Sequence, residues 1–232
     1  MTSEDLLAEA ERLVRPCIHL EGPDAHGAPV AAVWGGEAPP SVPTARRHLV
    51  SIDVAQFPSA EPAVREGFPA RCLTLYMSDA GGEVALALAD VDLATLLDSG
   101  RRPNRGGVPL VARDARSLPP LDAVFRFGSS RVRAWLQRCG WLDGSGMPYE
   151  YNDNFPDTEP TVAYQRHWQA AHPLYAGQVL VVVGGWHVPW PDGDWAERLE
   201  DRLLLWTLGE SEPWVELWRS RRGTLEIRER IT

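Results

Sequence analysis

The chain has 232 residues, an ordinary globular share of apolar side chains and a formal charge of −9, and every one of its 23 basic residues is arginine. The length suits one large domain or two small ones. The lack of lysine excludes a Walker A loop, a kinase phosphate-binding lysine, a pyridoxal Schiff base and any lysine general base, and the net negative field opposes a nucleic-acid partner. No apolar run reaches bilayer length and no signal-peptide pattern opens the chain, so a soluble cytoplasmic protein with no membrane partner is expected. Cys17, Cys72 and Cys139 are odd in number and far apart, which fits buried free thiols and neither a disulfide framework nor a metal clip.

In chain order, Ser3 is expected to cap a first helix with Leu6, Leu7, Ala10, Leu13 and Val14 on one stripe, stopped by Pro16. His19–Pro29 reads as loop. Val30–Trp34 reads as a short strand, and His48–Asp53 as a second. Pro62 opens a short helix over Ser59–Glu66 that Gly67 closes. Arg71–Met77 alternates as a half-buried strand, turns at Gly81-Gly82 and pairs back through Glu83–Ala89, an alanine-rich segment for which a helix is the alternative. Asp92 caps a turn carrying Leu93, Leu96 and Leu97. Val108–Val111 is a brief strand and Arg113–Pro120 a loop. Ser129 or Ser130 caps a helix with Val132, Trp135 and Leu136, ending at Gly140. Thr161–Ala171 is a helix stopped by His172-Pro173. Gln178–Val183 is a strand buried on both faces, and Leu203–Leu208, Trp214–Arg219 and Thr224–Ile231 form a meander.

Two strands end on a Gly-Gly pair followed by prolines: Val30–Trp34 on Gly35-Gly36, and Val179–Val183 on Gly184-Gly185. Each is followed, after a gap, by another apolar strand. This suggests an internal duplication with two pseudo-repeated lobes, 1–128 and 129–232, inside a single domain 1–232. Strands interrupted by separate helices give an α+β fold with mainly antiparallel sheets and a few peripheral helices.

Three segments, Gly35, Gly36 and Pro39, then Leu49–Asp53, then Pro69–Tyr76, follow one another as a glycine corner, a strand ending in aspartate, and a strand running to an aromatic residue. With Gly184, Gly185, Trp186 and Pro189 as a second corner, the chain resembles the YwqG-like family, a bacterial domain of unknown function. The resemblance implies an α+β fold, a cytoplasmic location and an immunity-type or other protein-binding role. It brings no catalytic residues.

The loop after the second corner carries Trp186, His187, Trp190 and Asp194, stiffened by Pro189 and Pro191. These four residues are expected to form the wall of the main concave surface, with Trp34 or Tyr151 opposite, because stiff loops bearing aromatics and a few polar groups commonly line pockets. The first reading is therefore a protein- or ligand-binding module without cofactor or metal, for which a protein partner is expected. The second is a hydrolase using His187 with Asp192 or Asp194, or a divalent metal at Asp153 and Asp157 in the acidic loop Tyr149–Glu159. The spacing there departs from the EF-hand template, and no nucleophile is signalled.

Overall fold

Each of two apolar stretches folds back on itself as a four-stranded antiparallel meander. The structure, a computed structural model, describes residues 1–22, 28–42, 45–58, 62–65, 67–79, 82–99, 106–140, 158–171, 179–186, 201–207 and 214–230. The first meander is β2 (Val30–Trp34), β3 (Ala45–Asp53), β4 (Cys72–Ser78) and β5 (Val84–Ala87); the second is β7 (Val179–Gly184), β8 (Arg202–Thr207), β9 (Trp214–Arg219) and β10 (Leu225–Arg230). Two more strands, β1 (Arg15–Glu21) and β6 (Val108–Ser117), lie between them, giving one ten-stranded sheet in the order β10-β9-β8-β7-β1-β6-β2-β3-β4-β5. The strand that precedes each meander in sequence pairs with the other meander: β1 with β7, and β6 with β2.

The registers of the two meanders match residue for residue. Across the first, Trp34, Val50, Leu75 and Leu86 stand in one row; across the second, Val183, Leu205, Leu217 and Ile227 do. One row further along stand Val33, Ser51, Thr74 and Ala87, against Val182, Trp206, Glu216 and Arg228. The irregularities coincide as well. The β3–β4 ladder slips between His48 and Val50, and the β8–β9 ladder between Leu203 and Leu205, the equivalent place. The β2–β6 ladder slips between Val30 and Ala32, where the β7–β1 ladder slips between Val179 and Val181. Bulges bend a sheet and raise its local twist.

Alternate residues of every strand share a face. One face gathers Ile18, Leu20, Ala32, Val50, Ile52, Leu73, Leu75, Leu110, Val181, Val183, Leu205 and Leu217 into the main core. The two edge strands meet, and the Val84 amide donates to the Glu229 carboxylate across the seam, so a side chain instead of a ladder covers that part of the β5 edge. The short helix α2 (Pro62–Arg65) lies between β3 and β4 in the chain, and on the face opposite the main core α3 (Leu93–Ser99) lays Leu93 and Leu96 on Val33.

The chain divides into two compact units. The sheet, apart from the ends of β1 and β6, belongs with Cys17–Ala115, Gln178–Gly184 and Arg202–Thr232; the other unit takes Met1–Pro16, Arg116–Gly177 and Gly185–Asp201. That second unit holds α1 (Ser3–Glu11), α4 (Leu121–Phe127), α5 (Ser130–Arg138) and α6 (Glu159–Ala171). In α1 the cap is Thr2 and not Ser3. Its hydroxyl accepts from the Asp5 amide at 3.2 Å while Asp5 accepts from the Thr2 amide at 3.1 Å, a reciprocal pair that Ser3 has no residue at the right spacing to make. Ser129 caps α5 as expected. On α6 the Tyr164 hydroxyl donates to Pro119 O, and the Trp168 indole donates to Leu118 O at 3.3 Å.

Three expectations need correction. The first helix stops at Glu11, and Pro16 lies inside β1, whose Ile18 and Leu20 are buried; the segment is strand where loop was expected from His19 onward. Likewise β6 continues through Arg113 to Ser117. Both strands are rich in polar side chains, which hides them among loops, yet the charges are met across strands: Arg113 Nε lies 3.0 Å from the Glu21 carboxylate. Residues 121–127, which carry no strong start signal, form α4. The coarse α+β, mainly antiparallel class holds. Among the described residues no helix is long and apolar enough to cross a membrane.

Candidate functional site

The sheet unit carries an open cleft of about 730 Å³ at the ends of β2, β3 and β4, beside α3. Asp53 closes β3 and starts the following 3₁₀ turn (Val54–Gln56), accepting from the Ala55 amide at 3.0 Å. Its carboxylate is buried and receives the Arg71 side chain side-on, Nε to Oδ1 at 3.2 Å and Nη2 to Oδ2 at 3.1 Å. The Arg71 backbone is tied to the same turn, its carbonyl accepting from the Val54 amide at 2.9 Å. Burial works to raise the Asp53 carboxyl, but the hydrogen bonds from Arg71, Ala55 and Gln56 outweigh it and hold the group below its ordinary range.

Opposite, Asp92 accepts from the Ala94 amide at 3.0 Å and from the Thr95 hydroxyl at 2.8 Å, which starts α3 and keeps the carboxyl ionised below its usual range. Asp90 is exposed at the rim. Val30, Val91, Leu93 and Leu97 supply apolar wall, and Cys72, buried, lies at the base of β4.

A second polar group runs under the first meander. His48 Nδ1 lies 2.6 Å from Gly35 O, which can only accept, so Nδ1 carries the proton. Nε2 then accepts from Ser51 Oγ at 2.9 Å, and Ser51 in turn meets the Thr74 hydroxyl at 2.8 Å. Burial pulls His48 below its ordinary pKa, against the Gly35 hydrogen bond, so the ring is neutral near pH 7. A histidine on a serine has the chemistry of a nucleophile–base pair, but Ser51 is 0% exposed and His48 2%. Buried in this way, the hydrogen-bonded group works as a tether. Together with the Gly35 amide donating to Leu49 O at 2.8 Å, it fixes the first Gly-Gly corner on β3.

The two corners share a conformation: Gly35 and Gly36 have φ of +65° and +80°, Gly184 and Gly185 +72° and +79°. Such consecutive left-handed residues turn a strand end sharply and are nearly confined to glycine. After the second corner, Trp186 is buried. Its indole donates to Leu13 O at 2.8 Å, the Arg15 guanidinium sits 3.4 Å from its ring centroid, and the Phe127 ring packs 5.7 Å away. Its amide donates to Ser117 Oγ at 2.9 Å. Trp186 therefore anchors the start of the loop. His187, Trp190, Asp194 and Tyr151 lie outside the described residues, as do Asp192, Asp153 and Asp157. Trp34 is half-buried in the sheet unit, packed on the main core.

Among the described residues no group of three or more His, Cys, Asp or Glu side chains could hold a metal ion. The residues of the cleft were missed as a group. Asp53, Arg71 and Asp90 each stand at a strand end or turn, and only the capping pattern at Asp92 was readable alone. No protein-family model matches the chain, and comparison with curated proteins gives no match either.

Proposed function

We propose that this chain is a binding protein, a module that holds a protein or small ligand without transforming it, and that the cleft beside α3 is its site. The observation carrying this reading is the Asp53–Arg71 clamp: a buried carboxylate fixes an arginine whose side chain is 64% exposed at the cleft. A preorganised charged group beside an apolar wall is the usual composition of a recognition site. The reading agrees with the binding role implied by the YwqG-like resemblance, including an immunity-type task in the cytoplasm. The loop carrying His187, Trp190 and Asp194 keeps its proposed part as a contact surface, with Trp34 and Tyr151 as further candidates.

The test uses the purified full chain as bait for cell lysate. Retention of one species at stoichiometric level, lost on Ala94→Trp, supports the cleft, since Ala94 is exposed on α3 and lines it. Retention equal in wild type and variant moves the site elsewhere. Loss on Trp190→Ala, by about 1 kcal/mol or more with the fold intact, would place it on the aromatic loop. No retained species removes the reading.

We infer also that the sheet arose by duplication of a five-strand unit, β1–β5 and β6–β10, with the first strands exchanged. The matched registers, the two pairs of bulges at equivalent places and the two left-handed Gly-Gly corners support it. A bulge is a local insertion that disturbs pairing, so two pairs at equivalent places argue for a common origin of the two halves. The repeat boundary then falls between Ala87 and Val108 instead of at residue 128.

A further inference from the structure

We propose that the cleft takes a zwitterion, a small molecule or short peptide with a carboxylate, an ammonium group and an apolar side chain. The inference rests on the cleft being the binding site and adds the chemistry of what enters it. A guanidinium offers five N–H donors in a fixed plane. Asp53 uses Nε and one N–H of Nη2, a side-on contact. The end-on fork formed by Nη1 and the outer N–H of Nη2 remains, with no acceptor among the described residues, on a side chain that is 64% exposed. That fork matches the two oxygens of one further carboxylate, the geometry for which arginine is better suited than a point charge.

The rest of the lining sets the remaining chemistry. Asp90, Asp92 and Asp53 outnumber Arg71, so the cleft has an acidic balance that repels a dianion such as phosphate. Asp53 is spent on Arg71 and Asp92 on the start of α3, whereas Asp90, exposed at the rim, acts on Arg71 through its charge alone and makes no hydrogen bond or ion pair among the described residues. A ligand carboxylate on Arg71 therefore sits within reach of a site that favours a cation on the same molecule. Val30, Val91, Leu93 and Leu97 leave the ligand's remaining surface to be apolar. The volume of about 730 Å³ accommodates a single amino acid or a di- or tripeptide.

Isothermal titration of the full chain with five compounds tests this: L-leucine, dileucine, N-acetyl-leucine, leucinamide and inorganic phosphate. The expected result is one-to-one binding of leucine or dileucine, whichever is tighter distinguishing amino acid from peptide. Loss of the ammonium in N-acetyl-leucine or of the carboxylate in leucinamide should each weaken binding by about tenfold or more, and phosphate should not bind. Arg71→Lys keeps the charge but removes the fork, and should lose most of the affinity. Because that change also disturbs Asp53, Asp90→Asn is the companion variant; its side chain makes no contact that holds the fold, and about tenfold weaker binding of leucine with unchanged affinity for N-acetyl-leucine, which has no ammonium to lose, is expected. Leucinamide binding as tightly as leucine, phosphate binding in its place, or no zwitterion binding to the wild type overturns the proposal. If a lysate partner is still lost on Ala94→Trp while no zwitterion binds, the cleft remains the site and only its ligand class is wrong.

Discussion

Replacing Asp122 by Asn should abolish a slope in stability between about pH 4 and pH 7 and make the protein more stable at pH 8. Asp122 is the second residue of α4 and is buried, with its Oδ1 accepting from the Ala123 amide at 2.7 Å. Burial raises its carboxyl from 3.8 to about 7, against the opposing pull of that amide and of Arg126 one turn on. The sign follows from the raised value. The folded state holds the proton more tightly than the unfolded chain, so the contribution is fully present below the unfolded value, is lost as pH rises, and is gone above about 7. A shift of about three units corresponds to about 4 kcal/mol. Asn keeps the acceptor oxygen and stays neutral, but its new NH₂ must be desolvated, which returns about 1–2 kcal/mol. The net expectation is a gain of about 2–3 kcal/mol at pH 8, a large part of a typical total stability, and a loss of about 1–2 kcal/mol at pH 4, where the wild-type carboxyl is already neutral and only the cost of the amide remains. Urea unfolding followed by tryptophan fluorescence at pH 4.5, 6 and 8 measures it. Parallel pH profiles for the two proteins, or an Asn variant weaker at pH 8, would refute the reasoning.

Gly35→Ala and Gly184→Ala should each cost about 1–2 kcal/mol, the penalty for a left-handed residue with a Cβ, read from the urea midpoint; Gly35 has open space around the added carbon, so there the backbone alone is tested. Ser51→Ala leaves His48 Nε2 and the Thr74 hydroxyl without their shared partner, and a loss of about 1–3 kcal/mol in thermal or chemical unfolding is expected. Asp53, held low, contributes stability that is present above its unfolded value and fades as pH falls below about 4; Asp53→Asn should lose that acid-limb dependence, seen as a flatter pH profile of unfolding between pH 2 and 5.

The meanders were legible because their inward rows are apolar and their turns carry glycine. Val179–Gly184 reads as a strand from its branched run alone, and Leu225–Arg230 from its alternation. The two central strands were hidden for a physical reason. Between them they carry His19, Glu21, Arg113, Asp114 and Arg116, and such a density of charge normally marks a loop. The cost is met by pairing across strands, Glu21 with Arg113, which no single segment displays. The cleft was illegible for the same reason at larger scale: Asp53, Arg71 and Asp90 come from three separate turns, and only the β3–β4 ladder, placing Asp53 opposite Cys72, brings the first two together. Of the aromatic loop, the sequence indicated that Trp186 begins it, but not that Leu13, Arg15 and Phe127 would enclose that ring.

The matched rows of the meanders locate where function could diverge. On the core face both rows are apolar and interchangeable in kind: Val50, Leu75 and Leu86 against Leu205, Leu217 and Ile227. On the opposite face they differ completely. Ser51 and Thr74 stand where the second meander has Trp206 and Glu216, and His48 where it has Leu203. A core row is constrained by close packing, since each added or missing methylene costs stability, while the opposite row answers only to whatever lies on it. In the first meander that partner is α3, and the small Ser51 and Thr74 take up a hydrogen-bonded chain with His48 beneath a surface that ends in the cleft. In the second meander the same positions hold a tryptophan and a buried Glu216 that accepts from the Trp218 indole at 2.9 Å. Under the duplication proposed above, a scaffold with one matched apolar face offers two independently variable outer surfaces, and the preorganised Arg71 clamp stands beside the first of them.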